Sequence, residues 1–144
     1  MQLPKELQKF PLSNLIVASD STTARIYLAG GDSLEELDAV SVPHERKQDN
    51  EGSFVSSDGS RVGGPIEEDD TPRFDTFIKK LARSVIDTVR KHKIEQLSLV
   101  MPAEVEHALV DQLPSDVDTL IRRKLHKDLM KEAPIELVKR LLEA

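Results

Sequence analysis

The sequence predicts one α/β domain built on a mixed β-sheet. Three segments with strand patterns come first, a long amphipathic helix follows, and two further strand and helix pairs complete the order βββαβαβα. Right-handed crossovers after the long helix return the later strands parallel to the first, which gives five strands in one sheet. A length of 144 residues fits a single domain with its own core.

The opening third of the chain is predicted to form an antiparallel meander. Residues 15–18 (LIVA) are an uninterrupted apolar run, typical of a central strand that is buried on both faces. Residues 24–28 alternate apolar and polar side chains, which predicts a second strand. A turn at Gly30 and Gly31, where glycine accepts positive φ without penalty, leads to a third strand at residues 34–42.

A long helix is predicted to start at Thr71, a favourable N-cap residue, with Pro72 at the first helical position. Cationic residues near position 90 suit the negative end of the helix dipole. Apolar residues recur in steps of three and four along this segment and predict one wide apolar stripe: Phe74, Phe77, Ile78, Leu81, Ala82, Val85, Ile86 and Val89.

The rest of the chain supplies the remaining elements. We expect a strand at residues 96–101, a short helix at 102–113, and a strand from Val117 to about Lys127. A terminal helix at 134–142 should turn its apolar side inward: Ile135, Val138, Leu141 and Leu142. Helices then cover both faces of the sheet, and the whole has the ribonuclease H-like strand arrangement.

Two segments are predicted to lie outside this framework. Residues 1–12, with two prolines, read as an N-terminal arm that holds a short helical turn between Lys5 and Lys9. Residues 43–71 are rich in Ser, Gly, Asp and Glu and predict a long flexible loop, either functional or disordered. The predicted domain is therefore residues 13–144.

Composition limits the cellular setting and the partners. The chain has no Cys, which excludes disulfides and thiolate metal sites, and its N-terminus lacks a signal-like apolar run, so we expect a cytoplasmic protein with no membrane contact. Its net charge of −6 divides into −8 for residues 1–71 and +2 for residues 72–144. Because nucleic-acid affinity rests on Lys and Arg, any RNA contact must be local.

Candidate catalytic residues are few. Asp20, at the end of the first strand, and Arg25 form a candidate strand-end site, although Asp is also a common turn residue. The four histidines show no metal-binding spacing, and phosphate-loop, dinucleotide and serine-hydrolase motifs are missing from the sequence, so we expect no metal and no cofactor. The acidic run 67–70 has its simplest interpretation as favourable charge at a helix N-terminus.

Two basic tracts are the candidate RNA-binding surface. The helix at residues 73–93 carries seven Lys and Arg against two Asp, and residues 119–131 carry five against one. Few aromatic residues accompany them, so an ordinary solvated surface is the alternative. The candidates are Arg83, Arg90, Lys91, Arg122, Arg123, Lys124 and Lys127.

Several short motifs resemble one bacterial family, the host attachment proteins. They are residues 15–20 (LIVASD) with 24–27 (ARIY), Gly63-Gly64-Pro65 before the long helix, 97–102 (LSLVMP) and 127–129 (KDL). Their order is the basis of the resemblance, which covers residues 13–142. The family is similar to bacterial relatives of archaeal and eukaryotic peptide-chain release factors, and it implies a translational-machinery-component fold.

The resemblance also bears on catalysis. Release factors carry a Gly-Gly-Gln tip whose glutamine helps to place water on the peptidyl-tRNA ester, and Gly63 and Gly64 occupy a comparable place here. Pro65 stands where that glutamine would be. Proline has neither a side-chain amide nor a backbone N–H to orient water, which favours a domain without catalytic function.

The resemblance implies a non-catalytic, release-factor-like domain that binds a translation component, either ribosome or tRNA, through the basic tracts. Two alternatives remain open at this point. One is a metal-dependent nuclease or an esterase acting on tRNA, and the other is a protein-interaction module that uses the acidic loop. The sequence does not determine the oligomeric state.

Overall fold

Five strands form one mixed sheet in the computed structural model of the chain, which describes residues 1–42 and 70–143. Their spatial order is β3-β2-β1-β4-β5; β1, β2 and β3 run antiparallel to one another, whereas β4 is parallel to β1 and β5 is parallel to β4. The predicted five-stranded mixed sheet is confirmed. The strands are β1 (Phe10–Ser19), β2 (Thr23–Gly31), β3 (Ser33–Ser41), β4 (Gln96–Val100) and β5 (Ile121–Leu125).

Helices cover both faces of this sheet, as predicted. Those described are α1 (Asp70–His92), α2 (Ala103–Asp111), α3 (Ser115–Asp118) and α4 (Pro134–Glu143), and a 3-10 helix spans Lys5–Leu7. Helices α1, α2 and α3 share a core with one face, and α4 and the N-terminal segment share a core with the other. Among the helices in the described ranges, none is both long and apolar enough to cross a bilayer.

Strand β1 is the central strand because it pairs with β2 on one side and with β4 on the other. Its residues 15–18 have no exposed surface. Leu15 and Val17 face the first core, and Ile16 and Ala18 face the second. A strand in this position must be apolar on both faces, which explains why the sequence does not alternate there.

The first core forms where α1 lies against the sheet. Six of the eight apolar residues predicted for the α1 stripe are buried, and Phe74 and Ile86 are half-buried against the same cluster. Lys93 directly follows the last residue of the helix and has a φ of 54°, and the N–H of Ile94 donates to the carbonyl of Val89 over 3.1 Å. This left-handed residue and the hydrogen bond back to the last turn close the helix and bring Ile94 into the core beside Val89.

The N-terminal arm is a packed part of the second core. Leu3, Leu7 and Phe10 are buried there, and the first residues pair with the start of β3 through hydrogen bonds between Met1 and Leu34. The predicted helical turn is the 3-10 helix, and β1 already begins at Phe10 inside the segment predicted as the arm. The inward face of α4 includes Leu137, which the prediction omitted, beside Val138 and Leu141.

The prediction between residues 113 and 127 needs the largest correction. The segment from Val117 was predicted to start a strand, but Ser115–Asp118 is a helical turn and β5 covers only Ile121–Leu125. The carbonyl of Pro114 accepts the N–H groups of Val117 and Asp118 at the start of that turn, and the buried Val117 side chain anchors it to the first core. A second, smaller difference concerns the start of α1, which includes Thr71 instead of beginning after it. Residues 43–69 of the predicted loop 43–71 lie outside the described residues.

A small polar cluster lies at the join between the parallel strands β1 and β4. Asn14 and Ser98 are fully buried, and the Ser98 hydroxyl donates to Asn14 Oδ1 over 3.0 Å. Asn14 Nδ2 in turn donates to Gln96 Oε1 over 3.2 Å. Because buried polar groups are costly without partners, this cluster favours the observed register of β1 against β4.

The cluster should behave as a coupled unit in unfolding. Asn14→Ala leaves the Ser98 hydroxyl without its acceptor, and we expect it to lower the free energy of unfolding by about 2 kcal/mol. Ser98→Ala should cost about 1 kcal/mol. The double variant should cost less than the sum of the two, because the second substitution removes a group that the first left unsatisfied. Urea unfolding measures all three, and strictly additive costs would contradict the coupling.

Candidate functional site

Asp20 closes the turn between β1 and β2. Its Oδ1 accepts hydrogen bonds from the backbone N–H groups of Thr22 at 2.8 Å and Thr23 at 2.7 Å, and the hydroxyl groups of both residues add longer contacts. Burial alone would raise the pKa of Asp20, but these hydrogen bonds outweigh it and hold that pKa below its usual range. The carboxylate is therefore an ionised acceptor that is engaged by its own turn.

Arg25 does not join Asp20 in one site. Its side chain is exposed, and the neighbouring Tyr27 on the same strand is the main influence that raises the pKa of Arg25. No ion pair links it to Asp20 among the described residues. Within residues 1–42 and 70–143 there is also no group of three or more acidic or histidine side chains placed to hold a metal ion.

The basic candidates on α1 divide into two environments. Arg83 and Lys91 line a groove of about 820 Å³ between α1 and β3. Arg90 points elsewhere, and its Nη2 lies 3.5 Å from Asp116 Oδ2 on α3, with both side chains more than half exposed. Ion pairs this exposed contribute little to stability, so the guanidinium of Arg90 can still exchange partners.

The basic candidates around β5 lie at the other edge of the sheet. In the strand register, Arg123 lies beside Ser98, on the face of the sheet that carries the second core. Lys124 lies beside Leu99, on the opposite face, which α2 covers. Arg122 lies at the irregularity in the strand between Ile121 and Arg123, and Lys127 follows the strand; both are exposed. Four strand spacings of about 4.8 Å separate β5 from β3, so the β3 wall of the groove lies about 19 Å from β5 at the level of the sheet.

Glu106 joins α2 to the end of β5 and was not singled out from the sequence. Its carboxylate lies 3.4 Å from Lys124 Nζ and 2.9 Å from His126 Nε2, and its side chain is 12% exposed. Burial would raise the pKa of Glu106, but the hydrogen bonds from His126 and Lys124 and their positive charge outweigh burial and lower it. Lys124 and His126 lie 18 and 20 residues after Glu106, and no sequence pattern predicts contacts at these spacings.

The groove between β3 and α1 is a concave surface with walls from two different elements. Residues 37–41 of β3 form one side, and side chains of α1 form the other. Ser84 Oγ donates to Asp38 Oδ2 over 2.6 Å, and the other oxygen of Asp38 accepts the N–H of Ala39 over 2.8 Å. Sequence reasoning identified Arg83 and Lys91 but missed the groove, because β3 and α1 are far apart in the chain.

Gly63, Gly64 and Pro65 lie outside the described residues.

A protein-family model described as "protein required for attachment to host cells" matches residues 15–141. The chain belongs to this host attachment family. The match confirms the family resemblance found in the short motifs. No curated protein matches the chain.

Two solved structures share the fold. The archaeal translation termination factor aRF1 aligns with a TM-score of 0.52 and 14% identity over 89% of this chain and 37% of that protein. Dom34 of S. cerevisiae, a translation termination-like factor, aligns with a TM-score of 0.52 and 11% identity over 94% of this chain and 36% of that protein. This member of the host attachment family has a release-factor-like fold, and it spans just over a third of the length of each neighbour.

The Glu106 cluster should show in the pH dependence of stability. The lowered pKa means that the ionised carboxylate stabilises the fold above the ordinary pKa of glutamate, and that this contribution disappears as the pH falls through the lowered pKa. Glu106→Gln should therefore cost about 1 kcal/mol at pH 7 and progressively less in acid. Urea unfolding of both proteins between pH 7 and pH 3 measures the difference, and a difference that stays constant or grows in acid would contradict the assignment.

Proposed function

We propose that this protein is a non-catalytic, release-factor-like domain that binds a component of the cytoplasmic translation machinery, either ribosome or tRNA. The observation that carries the proposal is the match of 89% of the chain to part of the archaeal translation termination factor aRF1. The second neighbour, Dom34, is described as a translation termination-like factor involved in RNA quality control. A basic edge strand on that fold supplies a surface for phosphate groups.

The contact surface we propose is the exposed part of the β5 tract. Arg122 and Lys127 are exposed and Arg123 is half-buried, and within residues 1–42 and 70–143 no ion pair or hydrogen bond occupies their side chains. Lys124 differs because Glu106 partly neutralises it. The three remaining cations therefore form the part of the tract that is available to a polyanion, and Arg90 adds a fourth if it releases Asp116.

The lack of catalysis in this proposal rests on Pro65. A residue without a side-chain amide or a backbone N–H stands where release factors place the glutamine that positions water. Binding without hydrolysis is then the activity to measure first. A basic surface of three or four cations gives an affinity that falls as salt rises, because each phosphate contact releases condensed counterions.

Co-sedimentation with purified ribosomes and binding to bulk tRNA test the proposal. The wild-type protein should bind one of them at low salt and dissociate as the salt concentration rises. A variant with Arg122→Glu, Arg123→Glu and Lys127→Glu should bind at least about tenfold more weakly, because three phosphate contacts become repulsive. All three positions lie at the sheet edge or beyond it, so the variant should keep its circular dichroism spectrum.

The matched control reverses three exposed cations elsewhere, with Lys5→Glu, Lys9→Glu and Lys139→Glu, and changes the net charge by the same amount. It should bind like the wild type. An equal loss in the control, or no binding of the wild type to ribosomes or tRNA at any salt concentration, would refute the proposed surface.

A further inference from the structure

The groove between β3 and α1 presents an ordered pattern of charge. Arg83, Asp87 and Lys91 line it and follow one another at intervals of four residues on α1. Residues four apart lie on one face of a helix, with a rise of about 6 Å between neighbours. The groove therefore displays a positive, a negative and a positive group in a row that is about 12 Å long, and Lys80, three residues before Arg83, adds a further cation at that end.

These three charges are not satisfied within the part of the chain that the structure describes. Each side chain is exposed, and no hydrogen bond or ion pair joins any of them to a residue in that part. Asp38 on the opposite wall differs, because Ser84 and the N–H of Ala39 already occupy its carboxylate. Within the described ranges, the charged side chains of the row thus lack any hydrogen-bond partner, whereas Asp38 keeps its negative charge but has both oxygens hydrogen-bonded.

The spacing of these charges suits an extended polypeptide. In a strand, every second side chain points to the same side, and such side chains repeat at about 6.6 Å. That repeat is close to the rise of about 6 Å between Arg83, Asp87 and Lys91. A segment with an acidic residue, a basic residue and a second acidic residue at alternate positions would place an opposite charge beside each of the three.

A nucleic acid suits the groove less well. Single-stranded RNA carries a negative charge at every nucleotide, so a phosphate group would meet Asp87 in the middle of the row. His92 lies at one end of the row and could stack on one base, but no second aromatic side chain is among the described residues that line the groove. The charge order is therefore the feature that favours a peptide.

We propose that the groove between β3 and α1 binds an extended segment of a partner protein with the pattern acidic, any, basic, any, acidic. Arg83 and Lys91 pair with the two acidic side chains, and Asp87 pairs with the basic side chain between them. This interaction is independent of the β5 surface and would stand or fall separately from the binding of ribosome or tRNA.

Fluorescence anisotropy with labelled peptides tests the proposal. The probe is Thr-Glu-Thr-Lys-Thr-Glu-Thr, and the reference is Thr-Glu-Glu-Thr-Lys-Thr-Thr, which has the same composition and net charge. Three exposed ion pairs give an expected preference of about tenfold for the probe. Similar binding of both peptides, no binding of either, or tighter binding of an eight-nucleotide uridine RNA would overturn the proposal.

A charge-inverted variant sharpens the test. With Arg83→Glu, Asp87→Lys and Lys91→Glu, the preference should move to the inverted peptide Thr-Lys-Thr-Glu-Thr-Lys-Thr. Lys79→Glu is the control, because Lys79 is exposed on α1 but lies beside α2, and this change alters the net charge by the same amount. The control should keep the wild-type preference, and an unchanged preference in the inverted variant would overturn the proposal.

A single substitution covers the case in which the inverted variant does not fold. Asp87→Ala changes one exposed residue on α1 and should leave the fold intact. It should remove the preference for Lys at the central position, so that Thr-Glu-Thr-Thr-Thr-Glu-Thr binds as well as the probe. Retention of the preference for the central Lys would exclude Asp87 from recognition and overturn the proposal.

Discussion

The burial of β1 on both faces is the constraint on which the rest of the structure depends. Residues 15–18 contribute alternately to two cores, and the strand pairs along both edges with β2 and β4. Removing this strand would separate the antiparallel part of the sheet from its parallel part. The helices on the two faces of the sheet are both positioned by β1, because α1 packs over one set of its side chains and α4 shares a core with the other set.

The elements that local pattern specifies were predictable. The uninterrupted apolar run of β1 and the periodic stripe of α1 are each a strong local signal, and right-handed crossovers account for the parallel orientation of the later strands. The turn at Ser115–Asp118 was not predictable from the same signals, because Val117 has the apolar character of a strand residue and only its contact with the first core shows it to be part of a helix. Leu137 of α4 was predictable from spacing, because it lies four residues before Leu141 on the same buried face of the helix.

The residue types of the candidate site could be predicted from the sequence, but their arrangement in space could not. Lys and Arg counts identified both tracts, but the sheet order separates β3 from β5, and Glu106 neutralises part of the β5 tract. The sequence could not show that Arg83 and Lys91 share a groove with Asp87, because one wall of that groove comes from β3. The fold thus converts two basic tracts into two different surfaces, one cationic edge and one groove of alternating charge.

Native-state hydrogen exchange of the backbone amides tests the central role of β1 most directly. If β1 holds the two cores together, the amides of residues 15–18 and 97–100 should exchange last, with a free energy of opening equal to the global free energy of unfolding. The amides of β3 and β5, at the edges of the sheet, should open at lower free energy. Greater protection of either edge strand than of β1 would contradict this account.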